Sequence, residues 1–98
     1  MIIENEASAG TAESGDARVT VRPNKGGGLS LELRGPSATR YGEDIKAVAI
    51  ATLSSLGVLD ADVSIEEKGA LDATIRARLS AAVGRAAGVV DIPWEVLA

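Results

Sequence analysis

At 98 residues with a formal charge of −4, the chain has room for one domain with a thin core. Hydrophobic residues make up 46% of it, but seventeen of these are alanine, and Tyr41 and Trp94 are the only aromatics. The absence of histidine and cysteine excludes a Ser-His pair, a cysteine nucleophile, ordinary zinc ligation and a disulfide framework, and no metal set is expected. The acidic balance argues against a nucleic-acid surface. No apolar stretch reaches the length of a membrane span and no basic start precedes an apolar run, so a cytoplasmic setting is expected.

Residues 1–16 carry Glu4, Glu6, Glu13 and Asp16 without a basic residue, among Ala, Ser, Gly and Thr. They read as an exposed, flexible acidic arm without regular structure. Ala17-Arg18-Val19-Thr20-Val21-Arg22 alternates in the manner of a half-buried strand, and Leu29-Ser30-Leu31-Glu32-Leu33-Arg34 does so again. The intervening Pro-Asn-Lys-Gly-Gly-Gly predicts a hairpin between them; a phosphate cradle would need a following Lys-Ser/Thr and a helix, which are missing.

After the Gly35-Pro36-Ser37 turn, apolar residues at helical spacing predict a helix over about 41–56, with Glu43 and Asp44 in its first turn and Gly57 at its end. A third strand follows over 61–66, then a turn at Glu67-Lys68-Gly69. Leu71, Ile75, Leu79, Ala82, Val83 and Ala86 mark a second amphipathic helix, stopped by Gly88. Asp72 at its start complements the helix dipole. The apolar tail ends in Ile92-Pro93-Trp94-Glu95-Val96-Leu97, where Trp94 covers a core edge or docks on a partner. The order β-β-α-β-α predicts an α+β domain over 17–98: a three-stranded sheet with two helices packed on one face. If the strands flanking the first helix are parallel, their connection is a right-handed crossover.

Few residues offer chemistry. Ser14 lies in Glu13-Ser14-Gly15-Asp16, and Gly15 and Gly10 give the backbone around it conformational freedom. By local sequence it reads as a turn serine, with Ser8 and Thr11 as competing hydroxyls. Glu13 and Asp16 read either as an acid-base pair or as charges that keep the arm soluble and mark it for a modifying enzyme. Arg78 and Arg85, seven apart, share one helical face, and Arg76 is offset from Arg78 by about 200°. The three are candidates for contacts with phosphates or an acidic partner, or form a solvated face. Tyr41 reads as a core or staple residue, with an exposed aromatic as the alternative.

The Ala9-Gly10-Thr11 and Glu13-Ser14-Gly15-Asp16 segments resemble the N-terminal motif of the citrate lyase acyl carrier proteins, the gamma subunits of that complex. Tyr41-Gly42-Glu43-Asp44-Ile45, Lys68-Gly69-Ala70-Leu71-Asp72, Arg76-Ala77-Arg78, Arg85-Ala86 and Ile92-Pro93-Trp94-Glu95 fit the same family in order, over nearly the whole chain. The resemblance implies a non-catalytic carrier whose Ser14 hydroxyl is joined through a phosphodiester to 2'-(5''-phosphoribosyl)-3'-dephospho-CoA. Acetyl and citryl groups would ride on its thiol as thioesters. It further implies three partners: an alpha subunit that transfers the acyl group, a beta subunit that cleaves the citryl form, and a prosthetic-group transferase. Neither nucleic acid nor membrane is among them. The chain departs from many relatives in having Ala73 in place of a cysteine, and in its glycine-rich loop. Two alternatives stay open: the related carrier of malonate decarboxylase, and a cofactor-free interaction module.

Overall fold

The computed structural model describes residues 1–89, so the tail with Trp94 lies outside the described residues. Its elements are β1 (Ala7–Gly10), β2 (Ala17–Arg22), β3 (Leu29–Arg34), α1 (Ala38–Ser55), β4 (Ala61–Glu67) and α2 (Asp72–Ala87). They form an α+β domain with a four-stranded sheet in the order β1-β2-β4-β3. β1 and β4 pair with β2 antiparallel, and β3 pairs with β4 parallel.

Side-chain parity builds the core. Ala17, Val19 and Val21 of β2, with Ala61, Val63, Ile65 and Glu67 of β4, are all buried. Ile45, Ala49 and Leu53 of α1 and Ile75, Leu79, Ala82, Val83 and Ala86 of α2 complete the same core. Each buried Val, Leu or Ile contributes about 1.5–3 kcal/mol by leaving water. α2 lies over β1 and β2, α1 lies against β3, and the helices touch each other. Small buried residues on α2, including Ser80 and Gly84, let it approach closely. The two buried hydroxyls bond within their own helices: Thr52 Oγ1 donates to Val48 O and Ser80 Oγ to Arg76 O. The opposite sheet face carries Arg18, Thr20 and Arg22 beside Asp62, Ser64 and Glu66.

Four expectations need correction. First, residues 1–16 are not without structure. β1 adds a fourth strand, Ile3 and Ala9 are buried, and the Glu4 and Asn5 N–H groups donate to Ala86 O at 3.1 and 3.0 Å. The Met1 ammonium donates to Leu56 O and Gly57 O. Four small residues carry too faint an alternation to read as a strand. Second, β2 and β3 are not a hairpin, because β4 enters between them. Crossing one strand spans about 10 Å at the usual spacing, and the six residues between β2 and β3 reach about 20 Å when extended. β4 is buried at every second position and takes the centre; β3, with an exposed Leu29, takes the edge. Third, α1 begins at Ala38, a turn early, so Glu43 and Asp44 lie outside its first turn. Fourth, Tyr41 is no core residue: it is 49% exposed, with the Arg40 guanidinium 5.4 Å from its ring centre.

Other expectations hold. The strands flanking α1 are parallel neighbours, and Gly57 and Gly88 follow α1 and α2 in left-handed conformation. The chain leaves each helix through paired backbone bonds: Gly57 N–H to Ser54 O with Val58 N–H to Leu53 O, and Gly88 N–H to Arg85 O with Val89 N–H to Gly84 O.

Candidate functional site

Residues 11–16 connect β1 to β2 at one end of the sheet. The Asp16 N–H donates to Glu13 O at 3.0 Å, closing a turn with Ser14 and Gly15 in the middle. Gly15 has φ +82°, the positive value that the third position of a type II turn demands. Further bonds then tie the turn to the body. The Gly15 N–H donates to Lys68 O at 2.7 Å and the Lys68 N–H to Asp16 O at 2.9 Å, continuing the pairing of β2 with β4 past Ala17↔Glu67.

Asp16 is the hub. Its carboxylate accepts Arg78 Nε at 2.9 Å and the second Arg78 nitrogen at 3.1 Å, a two-pronged pair joining the turn to α2. It also accepts Thr11 Oγ1 at 2.7 Å and the Ala17 N–H at 2.7 Å. The Arg78 bond, then those from Thr11 and Ala17, hold its carboxyl well below the usual carboxylate range. Gly10 lets the strands close here: a Cβ on it would strike Ala17 O, and its φ is +86°.

A second carboxylate, expected in a turn, is instead the last residue of β4. Glu67 is fully buried, and its oxygens accept the Ser37 N–H at 2.7 Å and the Gly69 N–H at 2.6 Å. It therefore ties the start of α1 to the stretch that holds Ser14. The signal was parity: Glu67 continues the inward series Ala61, Val63, Ile65.

The three candidate hydroxyls now separate. Ser8 Oγ is hydrogen-bonded to Thr20 Oγ1 at 2.9 Å, and Thr11 Oγ1 serves Asp16 and the Glu13 N–H. Ser14 is exposed, and none of the turn's side-chain bonds uses its hydroxyl among the described residues. An exposed, unengaged Oγ on an anchored turn suits a hydroxyl that must enter another protein's pocket.

The arginines part as well. Arg78 and Arg85 reach the N-terminal segment, Arg85 by donating to Ser8 O at 2.8 Å. Arg76 is half-buried, and among the described residues its side chain joins no ion pair. Glu13 and Asp16 do not form an acid-base unit, because Asp16 is committed to Arg78. Nor is Asp16 a free solubilising charge. Asp72 lies in the first turn of α2, as its dipole role requires, without a side-chain capping bond. Among the described residues no cluster of three or more acids could hold a metal ion, and no helix is long and apolar enough to cross a membrane.

Comparison with known proteins adds four findings. The family model described as malonate decarboxylase delta subunit (MdcD) matches residues 4–86. The chain is 47% identical over 97 residues to a citrate lyase acyl carrier protein of Vibrio cholerae serotype O1, covering 99% of each chain. It is 45% identical over 95 residues to the protein of that name from Streptococcus equi subsp. zooepidemicus, covering 97% of this chain and 93% of the relative. Among solved structures, homoserine kinase from Cytophaga hutchinsonii superposes with a TM-score of 0.61 at 14% identity, over 94% of this chain and 37% of the kinase. That likeness concerns the fold alone.

Proposed function

Because the chain belongs to the family of citrate lyase acyl carrier proteins, we propose that Ser14 carries the 2'-(5''-phosphoribosyl)-3'-dephospho-CoA group through a phosphodiester. The chain itself is a non-catalytic acyl carrier subunit of the citrate lyase complex. Such a group supplies, when attached, the thiol that this sequence lacks. With no cysteine of its own, the domain offers no second thiol to which an acyl group could migrate.

One observation carries the choice of residue: the three hydroxyls near the N-terminus are all exposed, but Ser14 alone is unengaged, on a turn fastened to the body through Lys68 and Asp16. A transferase must bring an activated phosphate to Oγ, and a free hydroxyl needs no bond broken first. Asp16, Arg78 and the backbone of Lys68 present the serine without touching it. The partners in this reading are an acyl-transferring alpha subunit, a citryl-cleaving beta subunit and the prosthetic-group transferase, in the cytoplasm.

Intact-mass spectrometry of protein from cells making the whole complex tests this. The expected result is one added prosthetic group, mapped to the peptide containing Ser14. Unmodified protein from such cells would turn the assignment toward a cofactor-free interaction module. The description of the matching family model favours a second reading, a carrier for malonate decarboxylase. Acceptance of malonyl in place of citryl groups by the modified protein would support it.

A further inference from the structure

Beside the serine turn lies a groove of about 350 Å³, lined by residues 8–12, Arg18 and Arg85. Arg18 comes from the open sheet face of β2, as the register partner of Gly10, and Arg85 from α2, so the groove brings together residues from both sides of β1. No carboxylate lines it. Both guanidiniums are exposed, and neither joins an ion pair among the described residues, although Arg22, Arg34 and Arg78 all do. Arg85 donates one N–H to Ser8 O, which holds its guanidinium beside β1 and leaves its other donors without hydrogen bonds among the described residues. Glu66 is the register partner of Arg18 on β4, but lies outside the groove and beyond ion-pair distance.

In a chain of net charge −4, two unneutralised arginines around one acid-free groove are a local reversal of sign. The groove ends at Ala12, two residues before Ser14; two residues of backbone span at most about 7 Å. Planar guanidinium forks match phosphate oxygens two at a time. We infer that the groove is a parking site for the phosphate-bearing stem of the group attached at Ser14, with Arg18 and Arg85 as the clamp. This rests on the Ser14 assignment. It gives Arg78 a different duty, since that fork is already filled by Asp16.

The test compares wild type with R18Q and R18Q/R85Q, each checked for unchanged thermal unfolding. In the first arm, free 3'-dephospho-CoA is titrated into the unmodified chains and followed by the amide resonances of Gly10, Thr11 and Ala12. Those amides should shift in wild type, and the double variant should bind about tenfold more weakly. Absence of a shift, or equal affinity in both, overturns the groove. In the second arm the modified proteins are compared by phosphorus resonance: broad, protein-like lines in wild type should sharpen in the double variant. Equal widths overturn the inference. Mass mapping decides Ser14 separately, because a prosthetic group found elsewhere would sink that assignment while leaving the titration interpretable.

Discussion

The loops at the two ends of β2 resemble each other in composition and differ in what they present. Residues 11–16 and 23–28 both hold glycine, a polar hub and a charged residue, and both hubs are satisfied. Asp16 gathers Thr11, Ala17 and Arg78, while Asn24 donates to Gly27 O and Gly28 O and accepts the Gly26 N–H. Each loop is also pinned to the strand beside it: Lys68 bonds Gly15 and Asp16 at one end, and Asp60 Oδ1 accepts the Gly28 N–H at the other. The difference is the cargo. The first loop lifts a free hydroxyl into solvent, whereas the second carries the chain across β4 to β3. Glycine content therefore marks where the backbone turns tightly, and the proposed attachment rests on the side chain left over once the hub is satisfied.

Four experiments would break or sharpen that contrast. The largest effect is expected from Ser14→Ala, which should abolish both mass addition and citrate cleavage by the reconstituted complex. It should move stability by less than about 0.5 kcal/mol, as for an unengaged surface residue. Retained cleavage would show that the first loop is as inert as the second. Next comes Gly10→Ala. The new Cβ meets Ala17 O at a positive φ, so chemical denaturation should reveal a loss of about 2–4 kcal/mol. A loss under 1 kcal/mol would mean that β1 is not closed on β2 as described.

Gly15→Ala against Gly27→Ala compares the loops directly. Both sites have positive φ and open space within 3.4 Å of the added carbon, so each should cost about 1–2 kcal/mol. Only Gly15→Ala should slow modification of Ser14 by the transferase; equal rates would remove the turn's geometry from the argument. The smallest effect concerns acid. The Asp16 carboxyl titrates below its ordinary value of 3.8, so its stabilisation is complete above that value and is lost as pH falls toward the lower, folded one. The stability gap between wild type and Asp16→Asn, measured by denaturation at stepped pH, should therefore be constant near neutrality and shrink below about pH 4. Arg78→Ala should abolish most of that pH dependence.

Much of the architecture was legible because it is periodic. Both helices, the strands at β2, β3 and β4 and the glycines after each helix follow from residues a few positions apart. The N-terminal strand was not, since Ala7, Ser8, Ala9 and Gly10 provide almost no contrast between faces; α2 lying over it supplies the burial that its side chains do not advertise. The hairpin expectation failed for a related reason. Adjacent alternating segments with a turn between them look like pairing neighbours, and nothing local reveals that a later strand, apolar on its whole inward face, will take the central place. At the site, the family resemblance pointed to Ser14, but residue chemistry alone left three hydroxyls and two readings of Asp16.

Composition and order along the chain by themselves determined that any thiol chemistry here must be borrowed, because no cysteine is present. They also determined which segments coil into helices, because helical and strand periods are properties of near neighbours. Only the tertiary structure decided which hydroxyl stays free, which strand is central, and that Asp16 and Arg78 meet across 62 positions of sequence. The reason is that a hydrogen bond consumes a donor or acceptor irrespective of sequence separation. Availability is what remains after the whole chain has folded, and no local window contains that remainder.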